Sequence, residues 1–308
     1  MPFEVRILGC SSGTPTSTRH TSAQIVNLLG RFFLIDCGEG TQIQLRRYGV
    51  KIQKIEYICI SHLHGDHYLG LMGLLSTMSL LNRKKELIIF VPKGLDQIIN
   101  LHLKLSYSKL SFEIKMIFLK GSKMIKIFED DAFELFSFGL KHSIPCWGFK
   151  LVEKKRPKRI LKTVINQYDM SFSDIKSIKL GMDFITKHNK VIPNDLLTQN
   201  SYKPRSYVYC SDTMYFDKLV DYVKDVDLLY HESTFHSEMS KKARTTFHST
   251  AKDAGRVAFE GNVKQLLLGH FSPRYKELNV LKLDAQSLFK NTLIVNEGGI
   301  YKIKKTFK

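Results

Sequence analysis

Short apolar runs alternate with turn-forming residues along most of the chain. Strand-like runs in the first half lie at residues 5–8, 23–29, 31–35, 55–60, 87–91, 112–119, 124–128 and 133–140. Stretches with helical length and spacing lie at residues 41–48, 69–81 and 95–105. Turns rich in Gly, Ser and Pro separate them, as at residues 9–16. Strands that alternate with helices are what an αββα sandwich would show, so the pattern predicts an α/β fold.

The second half continues this pattern after an interruption. Strands are predicted at residues 206–210, 228–230 and 265–268, and helices at 216–223 and 251–260, before a final helix and strand. Residues 153–205 instead show few apolar periodicities and begin with the basic run 154–159. We interpret this stretch as an insertion or arm, and the alternative for its basic run is an ordinary solvated face.

The most informative segment is Ser-His-Leu-His-Gly-Asp-His at residues 61–67, directly after a predicted buried strand. His62 and His64 are two residues apart, so their side chains point the same way on an extended segment. The glycine that follows permits a sharp turn, after which Asp66 and His67 can face a second point. Four ligands in so short a loop suit two Zn²⁺ ions better than one tetrahedral ion. The alternative is a polar loop at a helix start, with Asp66 as the cap.

Further potential ligands occur one at a time along the chain. His142, Asp212 and His270 each follow a strand-like run. Side chains at strand ends on one edge of a sheet converge on one site, which is how enzymes place functional groups on rigid elements. Together with the segment 61–67, these three residues predict a single metal centre.

The composition limits the class of protein. The 308 residues are 43% hydrophobic and 25% charged, an ordinary globular composition with ample core. No apolar run has membrane-spanning length, and the chain starts with a strand-like pattern instead of a secretion signal. The five cysteines lie far apart with no CxxC pair, which favours buried thiols in a reducing cytoplasm. The net charge of +18 favours polyanionic partners, but the lysine-rich composition is equally explained by an AT-rich genome.

These motifs resemble the metallo-β-lactamase superfamily and, within it, the ribonuclease Z family of tRNA 3′-processing endonucleases. The segment 61–67 and the lone Asp212 are shared across the superfamily. More specific to ribonuclease Z are His-Glu-Ser-Thr-Phe at 231–235, His-Ser-Thr-Ala at 248–251 and His-Phe-Ser-Pro-Arg-Tyr at 270–275. The resemblance covers nearly the whole length of the chain.

The resemblance implies a set of metal ligands and two catalytic groups. One zinc would be held by His62, His64 and His142, the other by Asp66, His67 and His270, and Asp212 would bridge the two. Such a pair of ions, for which Mn²⁺ is an alternative, would lower the pKa of a shared water to near neutrality for attack on phosphorus. Asp66 would orient that water or accept its proton. His248, held by Glu232, would protonate the leaving 3′-oxygen.

Other polar residues are assigned no direct part in catalysis. By the same resemblance, Asp36 supports the metal loop without binding a metal. Cys210 is expected to point into the core. The remaining histidines are expected to be core or surface residues, and these are His20, His102, His188, His231 and His236.

The resemblance also implies the architecture and the partners. It predicts a four-layer αββα metallo-β-lactamase sandwich over residues 1–308, with a substrate-binding arm at about 153–205. A Gly-Pro-rich tip is typical of such arms, but Gly181 is the only glycine there, so we expect a variant arm. The implied substrate is precursor tRNA, cleaved to leave a 3′-hydroxyl by a cytoplasmic homodimer with no membrane association. The alternatives are a hydrolase of small-molecule esters or phosphodiesters on the same fold, and a non-catalytic RNA-binding subunit.

Overall fold

The computed structural model describes residues 2–199 and 201–307, and the chain divides into two compact units. The first unit comprises Met1–Val152 and Ser206–Ile303, and the second comprises Glu153–Arg205 and Lys304–Lys308. The predicted domain limits at residues 1 and 308 lie outside the described residues.

The chain up to residue 153 contains both strands and helices. The strands are β1 (Phe3–Gly9), β2 (Ala23–Leu28), β3 (Arg31–Cys37), β4 (Ile55–Cys59), β5 (Leu87–Val91), β6 (Ile114–Phe118), β7 (Ile125–Glu129), β8 (Phe133–Leu140) and β9 (Cys146–Glu153). The helices are α1 (Thr41–Arg47), α2 (Gly65–Tyr68), α3 (Leu71–Leu80) and α4 (Leu95–Leu105). Every element predicted for this part is present with small shifts of its ends. The strand β9 and the short helix α2 were not predicted.

The second unit has short elements around a small core of its own. These elements are β10 (Arg159–Ile160), α5 (Lys162–Gln167), α6 (Phe172–Lys179), β11 (Phe184–Ile185), β12 (Val191–Ile192), α7 (Asn194–Leu197) and β13 (Thr198–Gln199). The core side chains are Val164, Ile178, Phe184, Ile192 and Leu197. Ser171 is the capping residue before α6, and the side chains of Ser171 and Asp174 accept each other's backbone N–H groups.

The remaining chain returns to the first unit. Its strands are β14 (Ser206–Cys210), β15 (Leu228–Glu232), β16 (Leu266–Gly269), β17 (Thr292–Ile294) and β18 (Ile300–Lys302). Its helices are α8 (Lys218–Val223), α9 (Ser240–Thr245), α10 (Ala251–Glu260) and α11 (Asn279–Gln286). The predicted strands and helices of this part are all found.

Two seven-stranded sheets form the first unit. One sheet has the order β18-β1-β2-β3-β4-β5-β6, and the other has the order β17-β16-β15-β14-β9-β8-β7. The first sheet is antiparallel from β18 to β3 and parallel from β3 to β6. The second is parallel from β14 to β17. Parallel neighbours place their carboxyl ends at the same edge of a sheet, which is where polar loops can meet.

The sheets pack face to face, with helices on their outer surfaces. Between them, the ring of Phe33 on β3 meets that of Phe133 on β8 edge-on, with centroids 5.0 Å apart. On the outer face of the first sheet, Leu45 of α1 and Leu74 of α3 are buried in its apolar cluster. On the second sheet, Val257 of α10 packs in the cluster that covers β15 and β16. The predicted four-layer αββα sandwich is thereby confirmed.

All five cysteines are buried free thiols, with Cys210 in the core as expected. None of the helices in the described part of the chain combines the length and the hydropathy that a bilayer crossing requires.

Candidate metal centre

The first half of the segment 61–67 contributes to one group of donor atoms. The chain leaves β4 extended, and His64 has φ −71° and ψ 142°. His64 Nδ1 lies 3.2 Å from His62 Nε2 and 3.1 Å from Nε2 of His142, which follows β8. Asp212 Oδ2, just after β14, lies 3.7 Å from His62 Nε2 and 3.8 Å from His142 Nε2. Four donor atoms therefore surround one point.

The second half of the segment contributes to another group. Asp66 and His67 lie in α2, and His270 follows β16 with φ 56°. His67 Nε2 is 3.3 Å from Asp66 Oδ2 and 3.3 Å from His270 Nε2. Asp212 Oδ1 is 3.4 Å from His67 Nε2 and 3.1 Å from His270 Nε2. Asp212 thus directs one oxygen to each group of donors.

The donor sets fit divalent metal ions. Zinc in proteins takes imidazole nitrogens and carboxylate oxygens at about 2.0–2.2 Å, and a tetrahedron of that size has edges of about 3.3–3.6 Å. The separations in both groups bracket this value. The side chains that the structure brings together are His62, His64, His142 and Asp212 in one group and Asp66, His67 and His270 in the other.

Asp66 does not cap a helix. Its Oδ2 accepts a hydrogen bond of 2.8 Å from the backbone N–H of Gly13, in the loop after β1. The capping position of α2 is occupied by His64, whose side chain makes no capping hydrogen bond. The interpretation of residues 61–67 as a capped polar loop is therefore wrong.

Asp36 is a buried carboxylate that orients the segment 61–67 through hydrogen bonds to Ser61 and His67. Its Oδ1 accepts the backbone N–H of Ser61 at 2.7 Å, and its Oδ2 accepts the Ser61 hydroxyl at 2.9 Å. The same Oδ2 is 2.7 Å from His67 Nδ1 and accepts the Tyr209 hydroxyl at 2.6 Å. Because Asp36 fixes Nδ1 of His67, the Nε2 lone pair of that ring is left for a metal.

Two more rings are fixed in the same manner. His142 Nδ1 lies 3.1 Å from the carbonyl oxygen of Phe247, and His270 Nδ1 lies 3.0 Å from Thr234 Oγ1.

Burial lowers the pKa of His142 and, more strongly, that of His62. Both rings therefore remain neutral, which is the form that binds a metal ion.

His248 and Glu232 form an ion pair beside both groups of donors. His248 Nδ1 is 2.8 Å from Glu232 Oε1, and the ring centroid of His248 lies 5.1 Å from that of His142 and 5.6 Å from that of His270. Burial opposes the charge on His248, but the adjacent Glu232 carboxylate outweighs it and raises the pKa of His248 to about 9. Burial likewise opposes the charge on Glu232, yet His248 lowers the pKa of that carboxyl to about 2.

Glu232 is further held by Thr234, whose hydroxyl donates to Oε2 at 2.6 Å. The same hydroxyl oxygen contacts His270, so Thr234 links the ion pair to the second group of donors. Ser61, Tyr209 and Thr234 were not predicted as site residues. Ser61 and Thr234 carried a signal, since they lie within the motifs at 61–67 and 231–235, whereas Tyr209 carried none.

None of the remaining histidines belongs to a group of donors among the described residues. His231 is buried, and its Nδ1 contacts a backbone carbonyl at 2.7 Å. His20 Nδ1 pairs with Glu297 at 2.9 Å. His236 accepts a backbone N–H at 3.3 Å, and His102 and His188 are exposed.

The four-layer fold and these donor groups define a metallo-β-lactamase-fold protein with a divalent-metal centre. The chain is 41% identical to ribonuclease Z of Bacteroides fragilis over 296 residues, which cover 96% of this chain and 97% of that protein. It is also 41% identical to ribonuclease Z of Cytophaga hutchinsonii over 303 residues, covering 98% and 96% of the two chains. The chain belongs to the ribonuclease Z family.

Solved structures agree with this assignment. The short form of human tRNase Z is 27% identical with a TM-score of 0.72, covering 98% of this chain and 99% of that one. YhfI of Bacillus subtilis, a metallo-β-lactamase fold protein, is 19% identical with a TM-score of 0.69, covering 98% and 100% of the chains, which shows the shared fold. The family model that matches, over residues 3–143, is described as Anti-Pycsar protein Apyc1.

Proposed function

We propose that this protein is a zinc-dependent endoribonuclease that removes the 3′ trailer from precursor tRNA and leaves a 3′-hydroxyl on the tRNA. Family membership supports the substrate. The observation that carries the chemistry is the His248–Glu232 pair beside both groups of donors. Metal donors alone occur throughout the fold family, whereas a charged imidazole next to them supplies the acid that a phosphodiester leaving group needs.

The proposed centre holds two zinc ions per subunit, with Mn²⁺ as an alternative. His62, His64 and His142 would bind one ion, Asp66, His67 and His270 the other, and Asp212 both. When bound, such a pair activates water and neutralises charge on a phosphoryl group. The division of the two Asp212 oxygens between the groups supports this stoichiometry.

Asp66 is proposed to orient the attacking water or accept its proton. Burial alone would raise the pKa of Asp66, but His67 and His270 hold it well below its usual range, so the carboxylate is ionised. The hydrogen bond from Gly13 N fixes its orientation. An ionised and oriented carboxylate can hold a water by one O–H group and take up its proton.

His248 is proposed as the general acid for the departing 3′-oxygen. Its Nδ1 is held by Glu232, so its Nε2 is the nitrogen that can present a proton to a substrate. Glu232 stabilises the charged ring, and Thr234 restrains Glu232 in turn. The acid is thereby both charged and positioned before substrate arrives.

The second unit is proposed as the arm that grips tRNA. It contains a groove of about 500 Å³ whose lining includes Lys155, Arg156, Lys158, Lys179 and Lys203. We name this the basic groove. Cationic side chains bind the phosphate backbone without reading its sequence. A helical RNA recognised through its shape suits such a surface.

The proposed assembly is a cytoplasmic homodimer in which one subunit's arm holds the tRNA for the partner's site. The buried free thiols suit a reducing compartment. Sedimentation at several concentrations would measure the oligomeric state, and a monomer at micromolar concentration would contradict the dimer.

The proposal is tested by metal analysis combined with cleavage-site mapping on one precursor tRNA. We expect about two zinc ions per chain, and a single cut on the 3′ side of the discriminator nucleotide with a 3′-hydroxyl product. The same preparation should be assayed on small thioesters, β-lactams and bis(p-nitrophenyl) phosphate. Cleavage of the small substrates without cleavage of tRNA would favour a small-molecule hydrolase, and absence of both metal and turnover would favour an RNA-binding subunit.

A further inference from the structure

Arg274 is an exposed side chain whose guanidinium is nevertheless held by three contacts. Its Nε donates to Ser272 Oγ at 2.9 Å, and its Nη1 contacts Met239 Sδ at 3.2 Å. Its Cζ lies 4.9 Å from the centroid of the Phe235 ring. Ser272 and Phe235 are both buried, so the supports are rigid. A guanidinium fixed in advance loses little rotamer entropy when it binds a ligand.

This guanidinium lies at the edge of the candidate metal centre. Arg274 follows His270 by four residues, and Phe235, on which it stacks, has its ring 6.1 Å from that of His248. Three successive contacts, Arg274 with Phe235, Phe235 with His248 and His248 with His270, therefore link the Arg274 charge to the second group of donors. A polymer with one phosphate at the centre would bring a neighbouring phosphate towards this edge.

The charge of Arg274 is not neutralised within the described residues, where no carboxylate lies at ion-pair distance from it. Arg256 is a useful contrast. Its guanidinium also stacks on an aromatic ring, that of Tyr215 at 4.3 Å, but its Nε donates to Glu260 at 2.8 Å. The Arg256 guanidinium is thus paired with a carboxylate of its own helix. The Nη2 atom of Arg274, in contrast, makes no hydrogen bond to the described residues.

We propose that Arg274 binds a backbone phosphate of the RNA strand adjacent to the scissile phosphodiester and thereby sets which bond enters the centre. The proposal rests on the proposed function. Arginine suits this task because its planar fork can meet two phosphate oxygens at once. A contact of this kind positions the strand without reading its bases.

The test compares Arg274→Gln and Arg274→Lys with the matched control Arg256→Gln on precursor tRNA. For Arg274→Gln we expect kcat/KM to fall about tenfold or more, the effect of losing a charged hydrogen bond. The slope of log kcat/KM against log salt should become shallower by about 0.7, the share of one phosphate on a single strand. Arg274→Lys should keep most of the salt slope but only part of the rate. Arg256→Gln should match the wild type in both.

Cleavage-site mapping measures the position of the cut, which would not change if Arg274 had only a structural role. Arg274→Gln with full zinc content and an unchanged melting temperature should produce cuts at neighbouring phosphodiesters in addition to the main site. Wild-type kcat/KM and a single cut in Arg274→Gln would overturn the assignment and leave the proposed function intact. A wild-type protein that does not cleave precursor tRNA would overturn both.

Discussion

Among the residues that the structure describes, Asp212 is the one side chain that directs an oxygen to each of the two groups of donors. Its two oxygens face different histidines, so neither group has four donors without it. The histidines, in contrast, each serve one group only. Losing Asp212 should therefore have a different effect from losing any single histidine.

Replacing Asp212 by Ala and by Asn should distinguish the roles of its two oxygens. Asp212→Ala removes a ligand from both groups, and we expect weakened zinc binding at both. Asp212→Asn retains one oxygen and replaces the other by an amide nitrogen that is not a metal ligand, so one zinc should be retained far more tightly than the other. Elemental analysis after graded chelation measures this, with the surface variant Asp217→Asn as control. Equal retention in Asp212→Ala and the wild type would contradict the shared-ligand arrangement.

His248 affects the chemistry without holding a metal in the proposed scheme. Because general acids contribute about 10²–10⁴-fold, His248→Ala should lower turnover of precursor tRNA by that factor with its zinc content intact. The exposed His102 provides a matched control, and His102→Ala should retain full turnover. Normal turnover in His248→Ala, or loss of its zinc, would remove the general-acid assignment.

At the scale of elements, the metal loop packs backbone to backbone against the turn after β3. A Cβ on Gly70, at the start of α3, would lie 2.1 Å from the carbonyl oxygen of Gly38. The backbone N–H of Gly70 also donates to the Cys37 carbonyl oxygen at 2.9 Å. This contact fixes how far α2, and with it Asp66 and His67, can lie from the first sheet.

Gly70→Ala should therefore destabilise the fold and weaken the second group of donors. Overpacking against backbone costs about 1–3 kcal/mol, so thermal unfolding should shift to lower temperature and zinc should be lost at lower chelator concentration. Gly73→Ala in the same helix is the control. Its Cβ would meet only the Gln42 side chain at 3.4 Å, and alanine favours a helix by about 1 kcal/mol. Similar melting temperatures for the two variants would refute the close-packing argument.

Elements and ligands with a local signal were predictable, and long-range contacts were not. The metal donors are histidines and aspartates that lie within a few residues after apolar runs, as His142 does after the run that ends at Leu140. The hydroxyl of Tyr209, by contrast, meets Asp36 across 173 positions of sequence, and a tyrosine in a buried strand gives no sign of such a partner. The strand β9 was missed because Gly148 interrupts its apolar run. The packing requires a glycine there, since a Cβ would lie 2.4 Å from the Phe138 ring. The Ser171–Asp174 capping pair is a local sequence signal from which the start of α6 could have been predicted.

At the scale of the whole molecule, the net charge of +18 has two explanations that the basic groove helps to separate. A codon bias would scatter lysines over the surface. The groove instead gathers basic residues of the second unit, among them Lys155, Lys179 and Lys203, along one concave surface without an acidic residue in its lining. This favours a functional share of the charge.

Binding of precursor tRNA should weaken steeply with salt. The log–log slope should be about −0.9 for each phosphate neutralised on duplex-like RNA. Measured in the slow His248→Ala background, the triple variant Lys155→Gln, Lys179→Gln and Lys203→Gln should have a slope shallower by about 0.9 for each lysine that contacts phosphate. Lys218→Gln is the control, since Lys218 already pairs with Asp221 at 3.2 Å. Binding of precursor tRNA that does not change with salt would instead indicate that the positive charge reflects the composition alone.

The second unit is joined to the rest of the chain at three points instead of two, because residues beyond Ile303 return to it. Lys305 stacks on the Tyr202 ring at 4.7 Å, and the backbone N–H of Lys203 donates to the Thr306 carbonyl oxygen at 2.9 Å. Proteolytic cleavage after Ile303 would therefore leave every strand of the sandwich intact. It would weaken only the contacts that Lys305 and Thr306 make with Tyr202 and Lys203. We expect the cleaved molecule to keep its metal donors in place and to bind precursor tRNA less tightly.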